Sequence, residues 1–96
     1  MNSFNSKPWT SAVIQRWLVT ELATQMGVKP DDIDIREPFD SYGLNSAQAL
    51  VIAGKLENLL GFKLSPVLLM YYPTIESLSQ RLEEEAETAQ SETIEL

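Results

Sequence analysis

Ile14, Leu18, Leu22 and Met26 stand at a constant interval, and Gly27 follows the last of them. Apolar side chains at that interval line one face of an α-helix, and a glycine just past its end can turn left-handed and stop it. The helix starts at Thr10 or Ser11, either of which can cap it. A second helix runs from Ser46 to Leu60, with Ala49, Ile52, Ala53, Leu56, Leu59 and Leu60 on one face and Gly61 beyond. In "LSPVLLMYYPT", Ser65 is a cap, Pro66 suits a first helical position, and Pro73 ends a short third helix. Thr74 then caps a last helix carrying Ile75, Leu78 and Leu82, with Glu76 in the first turn where the helix dipole favours it. No alternating strand pattern competes, and no repeat is visible. The expected fold is all-α: a four-helix bundle of three long helices and one short third helix, with a long loop between helices 1 and 2.

The chain of 96 residues is enough for one modest core. Residues 1–9 read as a flexible lead-in, 10–85 as the folded domain, and 86–96 as an acidic disordered tail. From Glu83 onward the sequence is acidic and nearly free of apolar residues. The connection over residues 27–45 includes "KPDDIDIREPFD", in which Ile33, Ile35 and Phe39 are the apolar anchors that pin a surface loop. Its acids do not make a calcium loop, because Arg36 falls on a ligand position and the required glycine is missing. Trp17 reads as half-buried, with Trp9 less informative, and Tyr71 and Tyr72 as walls of the core near the short helix.

Composition narrows the chemistry. There is no cysteine and no histidine, so the commonest general base, the commonest zinc ligand and any thiolate are missing. The formal net charge of -7 opposes nucleic-acid binding. Apolar runs are far shorter than the ~20 residues that span a bilayer, so no membrane association is expected. The start "MNSFNSKPWTS" has no signal-peptide pattern, which makes the cytoplasm the expected location.

Ser46 sits one residue after Asn45 at the start of helix 2, behind a turn at Tyr42 and Gly43. The plain reading is a helix cap, since serine and asparagine both cap well. A catalytic serine needs a base, and Lys55 points to the far side of the helix. A serine that receives a modification is the third reading.

The stretch "YGLNSAQALVIAGKLENLLGFKLSPVLLMYYPTIESLSQRL" resembles the second half of an acyl carrier protein domain of the modular polyketide synthase type. That family carries a G-x-D-S motif whose serine opens the second helix and takes a phosphopantetheine arm from coenzyme A. Gly43, Leu44, Asn45 and Ser46 fall on that motif, Gly61 and Phe62 on the helix end, and "YPTIESL" on the signature before the last helix. "PDDIDIREPFD" resembles the long first loop, and the likeness covers roughly residues 10 to 85. In subtype it is similar to carrier domains found with fatty acyl-AMP ligases. The resemblance implies covalent 4'-phosphopantetheine on Ser46, with Gly43, Leu44 and Asn45 around the attachment point. One position departs: Asn45 stands where the family has aspartate, which keeps the capping oxygen and loses a charge that could orient a basic group of the modifying transferase. A helix N-terminus suits a phosphodiester, because its free N–H groups and dipole favour negative charge.

The implied protein is a carrier and not an enzyme, holding polyketide or fatty-acyl intermediates as thioesters. The implied partners are a phosphopantetheinyl transferase, an acyl-loading enzyme (an acyltransferase or fatty acyl-AMP ligase), and a ketosynthase or other synthase domain, with the isolated domain a monomer. A peptidyl carrier domain of a nonribosomal peptide synthetase and a non-catalytic helical interaction module stay open as alternatives. The face of helix 2 opposite the core holds Ala47, Val51, Gly54 and Asn58 with Leu50 at its edge, none of them charged. An ordinary surface helix shows charge there. Either the long loop covers this face, or it is a docking face beside Ser46, bordered by Glu57, Asp40 and Glu37.

Overall fold

The computed structural model describes residues 9–65 and 67–94, so the lead-in before Trp9, Pro66 and the last two residues lie outside the described part. Helix α1 spans Ser11–Met26. Thr10 caps it by accepting the Val13 N–H on its side-chain oxygen at 3.2 Å, and Gly27 ends it in the left-handed region, φ 73°. Ile14, Leu18, Leu22 and Ala23 are buried, while Met26 is only half-buried. Trp9 and Trp17 both lie partly buried against the core, so ordered packing begins inside the segment expected to be a loose lead-in.

Helix α2 spans Ser46–Leu60. Ile52, Ala53, Leu56 and Leu60 are buried, with Ala49 and Leu59 half-buried at the edges of the expected core face. Helix α3 is a single turn, Leu68–Tyr71, with no side-chain cap on its first residue. Ser65 precedes it and acts as a cap does, its side chain accepting the Val67 N–H at 3.2 Å and its carbonyl the Leu68 N–H at 2.9 Å; Pro66, expected at the first helical position, lies outside the described residues. One turn can bury only one side. Tyr72 packs on the core as expected, but Tyr71 is 73% exposed and walls nothing.

Helix α4 spans Ile75–Ile94. Thr74 and Ser77 close its start reciprocally: the Ser77 N–H reaches Thr74 Oγ1 at 3.0 Å, and the Thr74 N–H reaches Ser77 Oγ at 3.2 Å. Ile75, Leu78, Leu82 and Ala86 are buried. The helix runs on without a break through most of the stretch expected to be a disordered tail. Glutamate and alanine are good helix formers, so an acidic composition does not exclude a helix. Glu83 also has a structural use: its carboxylate accepts the backbone N–H of Ser11 at 3.2 Å, at the positive end of α1. The packing of α1 on α4 is the principal helix-to-helix contact of the bundle.

The α1–α2 connection is not featureless. It contains two short 3-10 turns, Pro30–Asp32 and Phe39–Tyr42. Phe39 is buried, and Ile33 and Ile35 are half-buried, so all three act as anchors. Backbone bonds fasten the loop to the α3–α4 junction: Phe39 N–H to Pro73 O at 2.8 Å and Glu76 N–H to Ile35 O at 3.0 Å. Tyr42 closes the loop on itself, its hydroxyl accepting the Asp34 N–H at 2.7 Å and donating to the Asp34 carbonyl at 2.9 Å.

Candidate functional site

The loop delivers the chain to α2 through a left-handed Gly43, φ 74°, a conformation costly for any residue with a Cβ. Leu44 is half-buried against the core and fixes the approach. Asn45 is the N-cap, with extended φ -93° and ψ 174°. Its Oδ1 accepts the Gln48 N–H at 2.8 Å, and Gln48 Oε1 accepts the Asn45 N–H at 3.0 Å. This is a closed capping box. Because Asn45 caps, Ser46 is released from that task. Ser46 is exposed at the first helical position, and its hydroxyl has no hydrogen-bond partner among the described residues.

Beside Ser46 lies a groove of about 530 Å³ between the 3-10 turn at Phe39, α2 and α3. Phe39, Leu44, Ala49, Leu50, Leu69 and Met70 give it apolar walls. Asp40 is its one charged lining residue among those described. Met70, 77% exposed, and Leu50, 56% exposed, stand at its rim.

Among the described residues, the Ser46 hydroxyl is hydrogen-bonded to no base, and Asp40 is the one carboxylate that shares its groove. Lys55 is committed elsewhere, pairing with Glu21 of α1 at 2.8 Å. Burial pushes the Glu21 carboxyl up, but hydrogen bonds from Lys55 and Gln25 and the Lys55 charge outweigh it and hold the group below its ordinary value. Among the described residues, no group of three or more His, Cys, Asp or Glu side chains could hold a metal ion, and no helix is long and apolar enough to cross a membrane.

Along α2, Ala47, Leu50, Val51, Gly54 and Asn58 are all exposed, so the long loop does not cover that face. A Cβ added at Gly54 would meet nothing within 4 Å. Asp40 and Glu37 are exposed near it in sequence, but Glu57 is half-buried and turned to structural use, its carboxylate accepting the Leu64 N–H at 2.9 Å. Two features escaped the sequence reading. The exposed apolar residues extend onto α3 through Val67, Met70 and Tyr71, which the brevity of the Pro-bounded helix could have revealed. Gln48 closes the capping box, and the spacing N-x-x-Q before an apolar run was its visible signal.

Residues 16–82, more than half of the chain, match the family described as the phosphopantetheine attachment site. A phenolphthiocerol/phthiocerol polyketide synthase of Mycobacterium tuberculosis is 35% identical over 71 residues, 74% of this chain and 4% of the synthase. The chain thus spans a small fraction of the length of that relative. Among solved structures, the acyl carrier protein Asl1650 of Anabaena sp. PCC 7120, described as having a variant phosphopantetheinylation-site sequence, is 48% identical with a TM-score of 0.77. That match covers 84% of this chain and 92% of the other. A free-standing peptidyl carrier protein from Acinetobacter baumannii is 41% identical with a TM-score of 0.76, covering 79% of this chain and 95% of the other.

Proposed function

The chain belongs to the phosphopantetheine-attachment family and is a carrier of intermediates tethered to a covalent 4'-phosphopantetheine; on that premise we propose that Ser46 holds the arm and that its cargo is a polyketide or fatty-acyl chain. The observation that carries the reading is the unpartnered, exposed Ser46 hydroxyl at the mouth of an apolar groove. The residues fit the group. The first N–H groups of α2 have no intrahelical partner, and with the dipole they favour the phosphodiester's charge. In the attachment step Ser46 Oγ bonds to the phosphorus nearest the pantetheine of coenzyme A. The diphosphate bond would break, adenosine 3',5'-bisphosphate would leave with the electron pair, and the hydroxyl proton would pass to the transferase. The arm's thiol then supplies thioester chemistry.

The groove favours an aliphatic cargo over an aminoacyl one, because its walls carry few groups to satisfy an ammonium. The peptidyl reading draws on the Acinetobacter carrier and on Asp40, which would suit that ammonium. The exposed faces of α2 and α3 form the docking surface. A phosphopantetheinyl transferase, an acyl-loading enzyme such as an acyltransferase or fatty acyl-AMP ligase, and a ketosynthase or other synthase domain are the partners that would read it.

The test compares arms loaded with an octanoyl and a valyl group by methyl NMR. The acyl reading predicts that Leu44, Leu50 and Leu69 resonances shift with octanoyl and stay in place with valyl. Equal responses to the two cargoes would contradict it.

A further inference from the structure

The first turn of α2 has little tertiary support: Ser46 and Ala47 are exposed, and Asn45 before them is exposed as well. What restrains it is local. Asn45 and Gln48 exchange two hydrogen bonds, 2.8 and 3.0 Å, across the two residues between them, one of which is Ser46. Asn45 supplies one bond through its own side chain, but the backbone N–H of Asn45 depends on Gln48. Without Gln48 that N–H turns to water, and the residue just before Ser46 loses its anchor to the helix.

We propose that Gln48 is a positioning residue for the modification of Ser46: it holds the serine in the helical geometry that the transferase binds. The proposal rests on Ser46 as the attachment point. A first turn that frays is competent for only part of the time, and the apparent affinity of a partner falls by that fraction. The effect therefore falls on KM for the carrier and leaves kcat unchanged, because a saturating transferase selects the helical form.

The experiment measures phosphopantetheine transfer from coenzyme A to the apo chain, well below the unfolding temperature of every variant. Gln48→Met keeps length and helix propensity but removes the acceptor; Gln48→Glu restores it in the form capping boxes commonly use. The expected result is a KM about fivefold higher for Gln48→Met with unchanged kcat, and a KM within about twofold of wild type for Gln48→Glu. A merely structural role would lower the melting temperature of Gln48→Met and leave KM where it was, which overturns the proposal. A Gln48→Glu variant as impaired as Gln48→Met overturns it too. If wild type is not modified at Ser46 at all, the underlying reading fails and this one falls with it, an outcome distinct from failure in the variants alone.

Discussion

The backbone N–H of Phe39 donates to the carbonyl of Pro73 at 2.8 Å, joining the loop that precedes Ser46 to the junction of α3 and α4. Both residues line the groove, and the Phe39 ring is only 6% exposed. The site and the core are therefore one construction. Phe39→Ala leaves a cavity and should cost about 3–5 kcal/mol of stability, as such truncations do in packed cores. Chemical denaturation measures it. A loss below about 1 kcal/mol would mean the loop is not packed on the bundle.

The Glu21–Lys55 pair joins α1 to α2. The Glu21 carboxyl is held below its ordinary value, so its contribution is present above the unfolded value, 4.5, and disappears as pH falls through the folded one. Lys55 is half exposed to solvent, which limits the pair to about 1 kcal/mol or less. Glu21→Gln should be less stable than wild type at neutral pH, with the difference vanishing under acid. A gap that persists or widens in acid would give Glu21 a different role.

Asn45→Asp keeps the capping oxygen and adds a negative charge at the positive end of α2. Stability should rise by about 0.3–1 kcal/mol, and phosphopantetheine transfer should accelerate if the transferase offers a basic group there. Unchanged or slower transfer by several transferases would show that this carrier does not need the carboxylate.

Much of this was legible in the sequence because it is local. Thr10, Asn45, Gly27 and Gly61 act on neighbours within one turn, so their roles follow from type and spacing. The same locality exposed Ser46 as the residue at the start of α2. What escaped depends on contacts distant in sequence or on surface left over after packing. The bond from the Leu64 N–H to Glu57 forms only once the chain has turned past Gly61, so spacing along α2 does not announce it. Tyr71 looked like core because periodicity cannot tell a one-turn helix which side it will bury. The charges from Glu83 onward likewise conceal that Ala86 is buried and that Glu83 accepts the Ser11 N–H, a contact between the two ends of the domain.

Val51→Asp and Gly54→Arg test the docking surface. Both positions are exposed, and the space around Gly54 is open, so the fold should hold; replacing glycine should even stabilise α2 by up to about 1 kcal/mol. With the arm installed first and confirmed by mass, acyl transfer with the natural partner should slow by about two orders of magnitude or more, since each change forces an unpaired charge into the interface. Normal exchange by fully modified variants would place docking elsewhere.

Intact-mass and fragment mass spectrometry after incubation with coenzyme A and a broad-specificity transferase reads the attachment at Ser46 itself. One 4'-phosphopantetheine per chain is expected, located on Ser46, and none on Ser46→Ala. That variant should stay helical, because Asn45 still caps α2. An arm found on another residue, or retained in full by a helical Ser46→Ala variant, would contradict the attachment at Ser46.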